Sequence, residues 1–78
     1  MESLIMFAMM FAEINGSITL GLAGAGAGIG VGMVGYGATQ AVGRNPGAFG
    51  NILTIAIIGM ALAEAIAIYG FLRALSGN

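Results

Sequence analysis

Residues 14–43 carry no charge and residues 45–72 carry only Glu64, and Arg44, inside the turn "GRNPG", separates them. Each stretch is longer than the roughly 20 apolar residues that a helix needs to span the hydrocarbon of a bilayer. Pro46 has no backbone N–H and a fixed φ, so it suits the first turn of a helix and not the interior. Gly43 is read as the end of the first helix and Asn45 as the N-cap of the second, with Arg44 at the tip between them. The pattern predicts one all-α membrane hairpin over residues 1–78: helix 1 at about 4–42, a polar turn at 43–47 and helix 2 at about 48–76.

Composition excludes a water-soluble domain. Of 78 residues 59% are hydrophobic, and the only charges are Glu2, Glu13, Glu64, Arg44 and Arg73. So short a chain cannot bury that much apolar surface, nor stay dissolved with so few charges. There is no cysteine and no histidine, which rules out disulfides, thiolate metal sites and histidine-assisted nucleophilic catalysis. Nucleic-acid binding lacks a basic surface. The N-terminal run "MESLIMFAMMFA" has neither the basic region nor the cleavage site of a secretory signal, so it is expected to be retained. Asn15-Gly16-Ser17 either breaks helix 1 or weakens it; the reading taken is that the helix continues.

The run "GAGAGIGVGMVG" contains a G-x-G-x-x-G, the signature of a dinucleotide-binding turn. That turn requires a preceding strand and an acidic residue about 20 positions on. Neither is present, and the next acidic residue is Glu64. On a helix, Gly21, Gly24, Gly28, Gly32 and Gly35 fall within an arc of roughly 80°, and Gly26, Gly30 and Gly37 within about 40° on nearly the opposite side. In lipid, helices associate by close backbone approach at small residues. Two opposed glycine faces let each copy touch a neighbour on either side, and such head-to-tail contacts close into a homo-oligomeric ring where the rotation per copy divides a full turn. Between the glycine faces lie a bulky set (Ile18, Leu22, Ile29, Met33, Tyr36) and a smaller set (Leu20, Ala27, Val31, Val34, Ala38), the latter expected to pack on helix 2. Helix 2 offers Ala56, Gly59, Ala63, Gly70 and Ala74 on one side, and on the other Leu53, Ile57, Met60, Ile68 and Phe71, with Glu64 in their midst.

Glu64 is the one residue that carries chemistry. An acidic residue at the bilayer centre costs roughly 2.5–3.5 kcal/mol on insertion scales, and such residues mark ion paths or proton relays. Desolvation disfavours the carboxylate, so the carboxyl is expected to hold its proton where it faces lipid or neighbouring helices. A static structural or pore-forming hairpin oligomer, with Glu64 as helix-to-helix glue, is the alternative. Glu13 and Arg73 read as anchors near the membrane interface.

The sequence resembles the c-subunit proteolipids of F-type ATP synthases, through "GAGAGIGVG" (Gly24, Gly26, Gly28, Gly30, Gly32), "GRNP" (Arg44, Asn45, Pro46) and "GMALAEAIAIYG" around Glu64 and Tyr69. The resemblance implies a rotor ring in the inner or plasma membrane, helix 1 inside and helix 2 outside, non-catalytic itself. It implies that Glu64 takes up and releases an ion as the ring turns against the a-subunit of the membrane sector, whose arginine favours the deprotonated form. It also places both termini on the periplasmic side and the Arg44 loop in the cytoplasm, against the central stalk. The family turn usually has Gln before the proline and often an acidic residue after it, where this chain has Asn45 and Gly47. Sodium-type members supply ligands from a helix 1 Gln and from a Ser or Thr after the carboxylate; the matching residues are Val31 and Ala65. Ala27, Leu62 and Ile66 add no side-chain oxygen, which leaves backbone carbonyls, water and the hydroxyl of Tyr69, the last of which the resemblance places near the carboxylate, for site support. The expected cargo is a proton rather than sodium, with no cofactor and no metal.

Overall fold

Nothing between Glu2 and Arg44 removes a backbone donor, and that whole segment is one α-helix, α1, of 43 residues. At 1.5 Å per residue it is about 65 Å long. A 3₁₀ turn at Pro46–Ala48 leads into α2, Phe49–Leu75, which packs antiparallel on α1. The structure, a computed structural model, describes residues 1–77. Asn15-Gly16-Ser17 lies inside α1 without interrupting it.

The turn differs from the sequence expectation. Helix 1 does not stop at Gly43; it continues to Arg44, which lies in its last turn and not at the tip of the loop. Among the described residues only Gly77 has a positive φ, 84°, so no left-handed glycine ends the helix. The break comes from Pro46, whose ring disfavours helical geometry in the residue before it. Asn45 accordingly sits at φ −142°, ψ 75°, its N–H still bonded to the Ala41 carbonyl at 2.9 Å. Asn45 also fails to cap α2 through its side chain. Its carbonyl instead accepts from the Ala48 N–H at 3.0 Å, closing the 3₁₀ turn, and α2 begins after Ala48 with no side-chain cap. Arg44 donates to Gln40 Oε1 at 3.1 Å, a cation placed favourably at a helix C-terminus.

The two helices meet through their smallest residues. Gly16, Ala27, Ala56 and Gly70 are buried. A Cβ on Gly16 would stand 2.7 Å from the Ala74 carbonyl oxygen, and one on Gly70 would overlap the Ala23 Cβ. Farther along, a Cβ on Gly59 would stand 3.3 Å from Val34 and one on Gly30 would stand 3.5 Å from the Ala63 Cβ. Ala63, Gly59 and Ala74 are half-buried, as are Val31, Val34 and Ala38. Leu20 departs from its predicted set and stays 38% exposed. The close approach at Gly16 and Gly70 leaves no room for a leucine between the backbones, so Leu20 lies at the edge beside Phe71 and Ala74. Apart from this seam the chain is an apolar exterior: Leu22, Met33 and Ile55 are each about 70% exposed. Both helices are long and apolar enough to cross a membrane, and lipid is the solvent that this surface fits.

Gly70→Val should force the helices apart and lower hairpin stability by about 1–3 kcal/mol, the usual cost of overpacking. Gly24→Ala, which meets open space within the chain, should leave a single hairpin unchanged. Reversible unfolding in mixed micelles, followed by helix-to-helix energy transfer, checks both.

Candidate functional site

Glu64 lies near the middle of α2, about 20 Å by helix rise from either end of that helix. On its side of α2, Met60 and Ile68 lie one turn away and Ile57 and Phe71 two turns away, all apolar. Its carboxyl is exposed on the hairpin surface and, among the described residues, has no hydrogen-bond or ion-pair partner in the chain. The hairpin's own seam therefore does not use this group.

What lies beside it on α1 follows from the antiparallel register. Gly30 faces Ala63, Val34 faces Gly59 and Ala23 stands against Gly70, so residues 24–32 run alongside the turn of α2 that carries Glu64. The side is fixed as well. A Cβ on Gly35 would stand 3.3 Å from Met60 Cε, and Met60 is one turn from Glu64 on the same face of α2. The stripe containing Gly24, Gly28, Gly32 and Gly35 thus shares one flank of the hairpin with Glu64. A Cβ at Gly24, Gly28 or Gly32 would meet nothing within 4 Å, so that flank is a shallow, unfilled surface with one carboxyl on it.

The opposite flank carries the second stripe. Gly37 lines a groove there with Met33, Ala41 and Ile55, and Gly26 and Gly37 likewise meet nothing within 4 Å. Gly30 differs from the other four glycines of the "GAGAGIGVG" run, because it touches Ala63 of its own chain.

The remaining sequence candidates divide between seam and surface. Ala27 is buried between the helices and Val31 half-buried, while Ala65 is exposed. Tyr69, 63% exposed, is five residues beyond Glu64, about 140° round the helix. It stands on the other flank and does not reach Glu64 within one chain. Arg44, Asn45 and Pro46 form the opposite end of the molecule, far from the carboxyl. Gly16 is the residue that sequence reasoning undervalues. It reads as a possible helix break, yet it is the closest backbone contact to α2 at that end, and the signal for it is its place on the same stripe as Ala23 and Ala27. No group of acidic residues among the described ones could hold a metal ion.

Comparison with known proteins points to the same family. The profile of the family described as the C-subunit of ATP synthase matches residues 14–75. A protein of Syntrophus aciditrophicus named as an ATP synthase c-subunit is 50% identical over 64 residues, 82% of this chain and 54% of its own length. One of Dehalococcoides mccartyi with the same name is 51% identical over 52 residues, 67% of this chain and 68% of its own. A Caldicellulosiruptor saccharolyticus namesake is 55% identical over 38 residues, 49% of this chain and 54% of its own. The chain spans about half the length of the first curated relatives it matches. No solved structure matches it. A two-helix apolar hairpin with a mid-helix carboxyl, matched along 14–75 by this profile, belongs to the ATP synthase C-subunit family.

Proposed function

We propose that this chain is the proton-carrying rotor subunit of an ATP synthase, with Glu64 taking up and releasing one proton as a ring of copies turns. The observation that carries it is the position of Glu64: at mid-membrane depth, on a glycine flank that the hairpin leaves open, and unused by the hairpin's own packing. A residue serving as glue inside the hairpin would lie in the seam, on the side of Ala63 and Gly70. Glu64 lies about 80–100° from it. The family membership supports the rotor and gives no support to a static pore.

Copies meet head to tail. The flank bearing Glu64 and Gly24, Gly28 and Gly32 of one hairpin faces the flank bearing Gly26, Gly37 and Tyr69 of the next. The bulky residues of helix 1, Leu22, Ile29, Met33 and Tyr36, then turn away from helix 2, towards the ring interior and its lipid. In that arrangement Glu64 sits between two copies, and Tyr69 comes to it from the neighbour as the nearest side-chain hydroxyl. Between helices no water reaches the site, so a charge there is costly. Release requires a place where a cation and water lower the cost of charge, which is the part assigned to the arginine of the a-subunit. Both termini face the periplasm or exterior, and the Arg44, Asn45, Pro46 end meets the central stalk. The catalysis of ATP synthesis belongs to other subunits.

The cargo is a proton. Sodium needs several oxygens to replace its water shell, and Val31, Ala65, Ala27, Leu62 and Ile66 offer no side-chain oxygen. A proton needs Glu64 and one acceptor.

Glu64→Gln keeps shape and hydrogen bonding but cannot ionise. Rings of this variant should form at normal yield, while proton flux and proton-driven ATP synthesis in vesicles fall to background. Normal coupled synthesis would contradict the rotor role. Gly28→Leu and Gly26→Leu block one flank each, and either should abolish rings as judged by native mass. A hydrophobic carbodiimide should modify Glu64 before Glu2 and Glu13, and at moderately alkaline pH the labelling rate should be the same with and without sodium. Strong protection by sodium would reverse the ion assignment.

A further inference from the structure

Near the end of the hairpin away from the turn, two opposite charges stand within about one helical turn of each other along the axis, on opposite flanks. Glu13 lies in a groove between the helices with Gly16, Ser17, Leu20, Phe71, Ala74 and Leu75. Arg73 is two residues from both Phe71 and Leu75, so it projects about 160° away from each, on the other side of α2. It does not line that groove. Both side chains are exposed, and among the described residues neither has a side-chain partner in the chain. Gly16 lies beside Ala74 and Ala12 beside Gly77, so Glu13 is opposite about residue 76, roughly three residues or about 5 Å along the axis from Arg73 and within reach of its long side chain.

The Glu13 groove is on the flank of Glu64, since Phe71 is seven residues from Glu64 on one face of α2. Arg73 is on the flank of Tyr69. We propose that Glu13 of one copy pairs with Arg73 of the next, an ion pair between copies that repeats at every contact and fixes the axial register of neighbouring hairpins. The pair rests on the ring reading, in which these flanks meet. The occupant of the groove is a second copy because the groove, about 200 Å³ in volume, suits an arginine: Phe71, Leu20 and Leu75 flank the aliphatic stem, and the Glu13 carboxylate and Ser17 hydroxyl accept from the guanidinium. The charges also make the contact directional, since turning a neighbour about would bring Glu13 to Glu13. Glycine stripes alone allow a slide along the axis; the charge pair opposes any slide that carries Arg73 farther from Glu13.

The test is charge reversal in the full chain, read as the yield of detergent-resistant rings by native mass. Glu13→Arg alone and Arg73→Glu alone should each reduce ring yield several-fold, with helix content by circular dichroism unchanged. The double variant Glu13→Arg/Arg73→Glu should restore it. Co-expression of the two single variants should recover most of it, through rings in which contacts between unlike variants again pair opposite charges and at most one contact per ring joins like variants. Single variants that assemble like the parent, or a defect that either combination fails to correct, overturn the pair. Restoration in the double variant without restoration on co-expression means a pair within one chain and likewise overturns it. A parent chain that forms no ring overturns the ring reading itself, and the pair with it.

Discussion

Between helices already in lipid the hydrophobic effect contributes almost nothing, because acyl chains are as apolar as leucine. Association then depends on how closely two backbones can approach, and this chain is organised around that constraint. The seam between α1 and α2 is made of Gly16, Ala27, Ala56 and Gly70, with Gly59 and Ala63 beside them. A soluble protein of this length would place leucines there and be more stable for it. Here the leucines and isoleucines face outward, where a bilayer replaces the core that the chain does not build.

The same constraint explains why the functional group stands where it does. With the seam occupied by small residues, the glycines of residues 24–32 that are not used internally remain as two flanks. Glu64 shares one of them, displaced from the seam, so under the proposed role a change at its carboxyl need not disturb the packing that holds the hairpin. Had the carboxyl been placed at Ala63 or Ala67, one residue before or three after, it would sit in or near the seam, and each change of protonation would act on the hairpin's stability. Separation of the structural face from the ion-carrying face is what lets a rigid unit take part in repeated protonation.

Much of this is legible in the sequence, for physical reasons. Uncharged length announces membrane helices; a lone mid-span carboxyl stands out because its cost is high; small residues at helical spacing name the contact faces. The five small residues predicted for the inner side of helix 2 are the ones found there. The errors lie where local rules compete. At the turn, glycine reads as the terminator, but the restriction that proline imposes on Asn45 prevails, and helix 1 runs through Gly43. Leu20 shares an angle with Ala27 and Val34, yet close contact at Gly16 expels it. The flank assignments of Glu13, Glu64, Arg73 and Tyr69 require the register between helices, which periodicity within one helix does not contain.

The rotor role depends above all on Glu64 lying at a head-to-tail contact between copies. Solid-state NMR on membranes holding a mixture of two isotopically distinct populations measures that contact most directly, one population labelled at the Glu64 carboxyl and the other at the flank of Leu62, Ile66 and Tyr69. Magnetisation should pass from the Glu64 carboxyl of one population to that flank in the other. Transfer confined to lipid and to residues of the same chain would contradict the contact and the role built on it.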